Sequence, residues 1–117
     1  MIINFKIFEN INKGEPEIGD YVICMEYDID GATPDKLLNF LSNNIGKYIG
    51  VGDIECPYEI KYLNPKDLIE YFNYEGKSGR RLYSRDEILY WSKYKKNLMR
   101  FLPLDIDQIL LNRKFNL

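Results

Sequence analysis

Apolar and polar positions along the chain fall into short runs separated by Gly and Pro. Residues 2–8 read as a strand with polar side chains at Asn4 and Lys6, and residues 10–16 as a loop. Residues 18–27 are nearly continuously apolar through Tyr21, Val22, Ile23, Cys24 and Met25, the pattern of a strand covered on both faces. Asp28-Ile29-Asp30-Gly31 reads as a turn. Thr33-Pro34-Asp35 predicts a helix start, with Thr33 as cap, Pro34 in the first turn and Asp35 against the positive end. Leu37, Leu38, Phe40 and Leu41 form its apolar face, and Asn43-Asn44 ends it. Strands are predicted over 45–51 and 58–63, rich in Tyr, Ile and Val, with a turn at Gly52-Asp53.

Asn64-Pro65-Lys66-Asp67 repeats the cap-and-proline signal before a short helix carrying Leu68, Ile69, Tyr71 and Phe72. Glu75-Gly76-Lys77-Ser78-Gly79 reads as a flexible loop and 80–83 as a short strand. Residues 84–92 fit two elements. Ser84 and Glu87 match a capping box, which favours a helix, whereas Ile88-Leu89-Tyr90-Trp91 suits a strand. Residues 84–92 are expected to form a tight turn and a closing strand. Ser92 then caps a helix with Tyr94, Leu98, Phe101 and Leu102 on one face, Pro103 stops it, and Asp105 opens a last short helix holding Ile106, Ile109 and Leu110. Strands at this spacing, with Gly breaks, predict a small bent antiparallel β-barrel. The fold class is α+β, mainly β: one domain over 1–117, with a barrel core over about 2–92 and helices over about 93–112.

Composition narrows the chemistry. The chain is 45% hydrophobic and 29% charged, ordinary for a folded domain. No apolar run approaches the roughly 18 residues that span a bilayer, and the N-terminal residues are too polar for a signal peptide. A cytoplasmic location, in an infected host or otherwise, and no membrane partner are expected. The chain has no histidine, which removes Ser-His and Cys-His nucleophiles and the commonest general base. Two cysteines without histidine make a poor metal set, so no metal, no cofactor and no enzymatic activity are expected. Cys24 reads as a small buried hydrophobe.

Three motifs nearly match and fail. Gly76-Lys77-Ser78 resembles the end of a phosphate-binding loop, but Tyr71 stands where the first Gly must be. Gly50-Val51-Gly52 lacks the third Gly of a dinucleotide fingerprint, Glu55 standing in its place. Asp28, Asp30 and Gly31 do not keep calcium-loop spacing, and Asn39 stands where the bidentate Glu would be.

The net charge of −2 hides a separation. Residues 1–76 hold 6 Lys/Arg and 14 Asp/Glu, a net of −8, and residues 77–100 hold 8 and 2, a net of +6. The basic segment (Lys77, Arg80, Arg81, Arg85, Lys93, Lys95, Lys96, Arg100) is interleaved with Tyr83, Tyr90, Trp91 and Tyr94. Arg, Trp and Tyr dominate binding hot spots, so Arg80, Arg81, Tyr83, Arg85, Tyr90, Trp91, Tyr94, Lys95 and Lys96 are the candidate partner-binding residues. A protein partner is expected first. Nucleic acid is the alternative, because cations neutralise phosphates and rings stack on bases. The bland reading is that the segment docks on the acidic body of its own fold.

The strings Glu17-Ile18-Gly19-Asp20-Tyr21-Val22-Ile23-Cys24, Asn44-Ile45-Gly46-Lys47, Pro57-Tyr58-Glu59-Ile60-Lys61-Tyr62 and Glu87-Ile88-Leu89-Tyr90-Trp91-Ser92 resemble a loose group of small phage and viral proteins. The Ile18-Gly19-Asp20-Tyr21-Val22 and Ile45-Gly46-Lys47 strings also look like small Src-homology-3-like barrels. The resemblance implies an interaction module that binds and modulates a host protein, a defence component included, or a structural subunit of a virion or complex. It carries no catalytic residue over. The inserted helix and the C-terminal helices depart from a bare barrel.

Overall fold

The computed structural model describes residues 11–26 and 33–115. The strand expected over 2–8 and the turn at 28–31 lie outside the described residues. The rest forms a small α+β fold dominated by antiparallel sheet.

The strands are β1 (Tyr21–Cys24), β2 (Gly46–Val51), β3 (Tyr58–Lys61), β4 (Asn73–Tyr74), β5 (Lys77–Ser78), β6 (Arg80–Tyr83) and β7 (Ile88–Ser92). The helices are α1 (Asp35–Asn43) and α2 (Ile106–Phe115). The main sheet has the order β6-β3-β2-β1-β7, and β4-β5 form a separate hairpin. Every pairing is antiparallel. β2, β3 and β6 pair in succession, and β7 then crosses to β1, aligning Val22 with Trp91. Register shifts at Ile23/Cys24 and Tyr48/Gly50 mark bulges, which bend and twist the strands that carry them.

The core gathers Val22, Cys24 and Met25, then Ile60, Tyr83, Ile88 and Trp91 of the other strands, and Leu37, Leu38 and Leu41 of α1. β1 is apolar throughout because both of its faces are covered, and α1 packs against it. Phe40, Tyr62 and Phe72 meet at interplanar angles of 58–65° with ring centroids 5.2–5.5 Å apart, joining α1 to the end of β3 and the following turn.

Several local expectations change. The cap residue of α1 is Pro34, not Thr33; its carbonyl accepts from Leu37 and Leu38. Asn43 and Asn44 end the helix as expected, donating their side-chain amides to the carbonyls of Asn39 and Phe40. The helix after Pro65 is a 3-10 segment, Lys66–Tyr71, with Leu68 and Phe72 buried and Ile69 turned outward.

Glu75-Gly76 is not a flexible loop. It is the two-residue turn of the β4-β5 hairpin, with φ of 51° and 78°, the both-positive geometry that fits strand twist. At 84–92 both signals are used. The capping box closes one 3-10 turn, Arg85–Glu87, and Ile88–Ser92 is a strand. The helix expected after Ser92 is instead two 3-10 turns, Lys95–Asn97 and Met99–Phe101. Asn97 is buried and donates to Ser92 Oγ at 3.2 Å, which turns a polar side chain inward where an amphipathic helix would place an apolar one. Asp105 caps α2 through Gln108 N–H.

Candidate interaction surface

Three of the segment's four arginines, Arg80, Arg81 and Arg85, are tied to the chain's own carboxylates. Arg80 and Arg81 are neighbours on β6 and so leave opposite faces of the sheet. Arg80 reaches Glu59 Oε2 at 2.8 Å. Arg81 grips Glu26 with two bonds of 2.7 Å and donates a third to the Tyr71 carbonyl. Such a bidentate pair is among the stronger charge-assisted arrangements. Arg85 pairs with Glu15 and lies 4.3 Å from the centroid of the Trp91 ring. For these three residues the acidic body of the fold is the partner.

Two aromatic candidates are core. Tyr83 is fully buried and donates its hydroxyl to Glu26 Oε2, so its ring is closed to any partner. Trp91 is 7% exposed, with its indole N–H toward the Lys13 carbonyl. Tyr90 is half-buried and stacks on Phe101 with centroids 4.1 Å apart. The burial of Tyr83 follows from its place on β6 opposite Tyr58, where its ring meets the sheet's covered face.

Tyr94, Lys95 and Lys96 remain exposed, with Lys93, Met99 and Arg100 beside them in the chain. Tyr94 is 52% exposed. Among the described residues no carboxylate lies within ion-pair distance of Lys93, Lys95 or Lys96.

A second surface was missed in the sequence reading. Leu63 is 71% exposed, Ile69 60% and Met99 59%. Two shallow clefts of about 360 and 230 Å³ share Tyr62 and Leu63 in their walls. The larger is bounded by Lys61, Pro65, Lys66 and Ile69. The smaller is bounded by Asn44, Ile45, Lys95 and Met99. One signal for it was present: Leu63 falls on the same strand parity as solvent-facing Lys61, an apolar residue at a polar position.

Four titratable groups are wholly or largely buried. Cys24, Tyr62 and Tyr83 all hold their protons far above the usual range, mainly through burial. Glu87 is also pushed above its ordinary 4.5, by burial first and by Glu26 and Asp86, against two bonds from Ser84. Among the described residues no three His, Cys, Asp or Glu side chains gather as a metal site. No described helix is long and apolar enough to cross a membrane. Comparison with family models, curated proteins and solved structures finds no match for this chain.

Proposed function

We propose that this chain is a non-enzymatic protein-interaction module built on a Src-homology-3-like barrel. Supporting the barrel are the strand order, in which β7 crosses to β1, and the single 3-10 turn between β6 and β7. Met25 N–H donating to the Glu87 carbonyl, just where β1 leaves the sheet, also supports it. The observation that carries the interaction reading is the apolar surface around Leu63, Ile69 and Met99, three large side chains left in water beside two clefts. The resemblance to small phage and viral proteins extends the proposal to a host protein as partner, in the cytoplasm. Nuclease-treated affinity capture from the cells in which the chain acts tests it, run side by side with Leu63→Asp. Leu63 is exposed, so this substitution leaves the urea midpoint nearly unchanged. A protein retained by the wild-type chain and released by Leu63→Asp is expected. Retention unaffected by the substitution, or abolished by nuclease alone, overturns the reading.

Nucleic acid is the second reading. One observation favours it: residues 88–104 contain no carboxylate, and Lys93, Tyr94, Lys95 and Lys96 are exposed along that stretch. Binding to single strands would weaken by a slope of about 0.7 per neutralised phosphate in log-log salt plots. The pairing of Arg80, Arg81 and Arg85 with carboxylates removes three of the cations on which that reading rested.

A further inference from the structure

The twin clefts have a distinctive charge. Their walls include Lys61 and Lys66 on one side of Leu63 and Lys95 on the other, with no Asp or Glu in either wall. Asp67 and Glu70, on the same 3-10 segment as Lys66 and Ile69, do not line the clefts. This is a cationic rim on a chain whose net charge is −2 and whose first 76 residues carry −8. The apolar floor and ridge come from Ile45, Leu63, Pro65, Ile69 and Met99.

We infer that this surface docks a short acidic segment of a partner protein, with apolar anchors straddling Leu63 and carboxylates meeting Lys61, Lys66 and Lys95. The inference rests on the interaction reading above and adds the chemistry of the partner. An apolar residue on each side of the Leu63 ridge fills one cleft, where truncation would expose a desolvated pocket. The lysines are exposed, so they contribute orientation and capture rate more than contact energy. A basic segment is rejected by the same three charges, and a purely acidic one leaves the two clefts unfilled.

The test is selection of random displayed peptides of about twelve residues, a length that covers both clefts, on the full chain. Selected peptides are then measured by fluorescence anisotropy against wild type, the triple variant K61E/K66E/K95E, and Leu63→Ser. The selected peptides are expected to be net negative with two or more apolar residues. Reversing the three charges is expected to weaken them by about tenfold or more at physiological salt, with the loss shrinking as salt is raised. Leu63→Ser is expected to weaken them at every salt concentration. Urea midpoints of both variants are compared with wild type, and amide chemical-shift mapping of the bound peptide on the wild-type chain gives the location independently of any variant. Neutral or basic peptides that still require Leu63 overturn the acidic partner and leave the interaction reading standing. Peptides that map away from Leu63 and Met99 overturn both. A concentration-dependent dimer abolished by Leu63→Ser, or competition by single-stranded RNA that depends on Lys61 and Lys66, assigns the surface to another occupant and overturns the inference.

Discussion

At the scale of single residues, burial decides what titrates and what reacts. Cys24 is fully buried and Cys56 is partly exposed. Burial raises the Cys24 thiol strongly; Cys56 is raised by burial and by Glu87, Asp53 and Glu55. A chromogenic thiol reagent should therefore titrate one equivalent in the native protein, more slowly than a free cysteine, and the second only in urea. Two equivalents in the folded state would place Cys24 wrongly. Glu87 offers a pH test with a definite sign. Its folded-state pKa lies above the ordinary 4.5, so the folded state binds the proton more tightly than the unfolded chain. Its stabilising contribution is present below 4.5 and is lost as pH rises through the folded value. Glu87→Gln keeps an acceptor oxygen for the Ser84 N–H bond but has no charge to bury. The urea midpoint of Glu87→Gln relative to wild type should therefore rise between about pH 4 and about pH 7. A gap that stays constant or narrows over this interval would contradict the burial account.

At the scale of elements, two devices hold the sheet. The first is Asn12, which lies along the outer edge of β7 like a residue of another strand. Its N–H donates to the Trp91 carbonyl, its Oδ1 accepts from Trp91 N–H at 2.9 Å, and its amide donates to the Leu89 carbonyl. Unpaired edge groups of this kind invite association between chains. Asn12 also has a φ of 53°, where Asn is tolerated better than most residues. Asn12→Gly preserves the backbone and removes the side-chain bonds. It should lose about 1 kcal/mol and speed hydrogen exchange at the Trp91 amide, and unchanged exchange there would show the bonds are dispensable. The second device is Gly46. A Cβ there would stand 2.6 Å from Ile60 Cγ2 and 2.8 Å from Tyr62 Cζ. Gly46→Ala should cost about 1–3 kcal/mol by overpacking, read as a lower urea midpoint with unchanged slope.

At the scale of the whole molecule, Arg80, Arg81 and Arg85 tie the basic segment to carboxylates elsewhere in the fold. Two arginines that look equivalent in the sequence, Arg81 and Arg85, should separate on substitution. Arg81→Ala leaves Glu26, whose side chain is 13% exposed, and the Tyr83 hydroxyl without their cation. It should cost about 1–3 kcal/mol. Arg85→Ala breaks a pair whose Glu15 side chain is 73% exposed and should cost at most about 1 kcal/mol. Equal losses from the two would mean that long-range charge, rather than the local network, ties the segment down. Trp91→Ala should lose about 3–5 kcal/mol, because the ring fills the core and also carries Arg85 on its face.

The sequence by itself determined the order and nature of most elements. Apolar continuity over Val22 to Met25 marked a strand covered on both faces, whereas alternation around Tyr58 to Lys61 marked a wet side that only Lys61 keeps, since Glu59 is buried. Those patterns are local, since one residue's neighbours already define which face it can hide. Likewise, Ser84 and Glu87 meet within a single turn, so their box was legible. The side of the molecule on which each arginine finds its carboxylate is different in kind. Glu26 lies 55 residues from Arg81 and Glu59 lies 21 from Arg80, and only the pairing of β6 with β3 and the exit of β1 bring them together. The surface around Leu63 was decided in the same way. An exposed leucine becomes a ridge between clefts only when the turns after β7 lay Lys95 and Met99 beside it, across more than thirty residues of chain. Periodicity records what a residue needs from water; which distant residue meets that need is settled by how the strands pair.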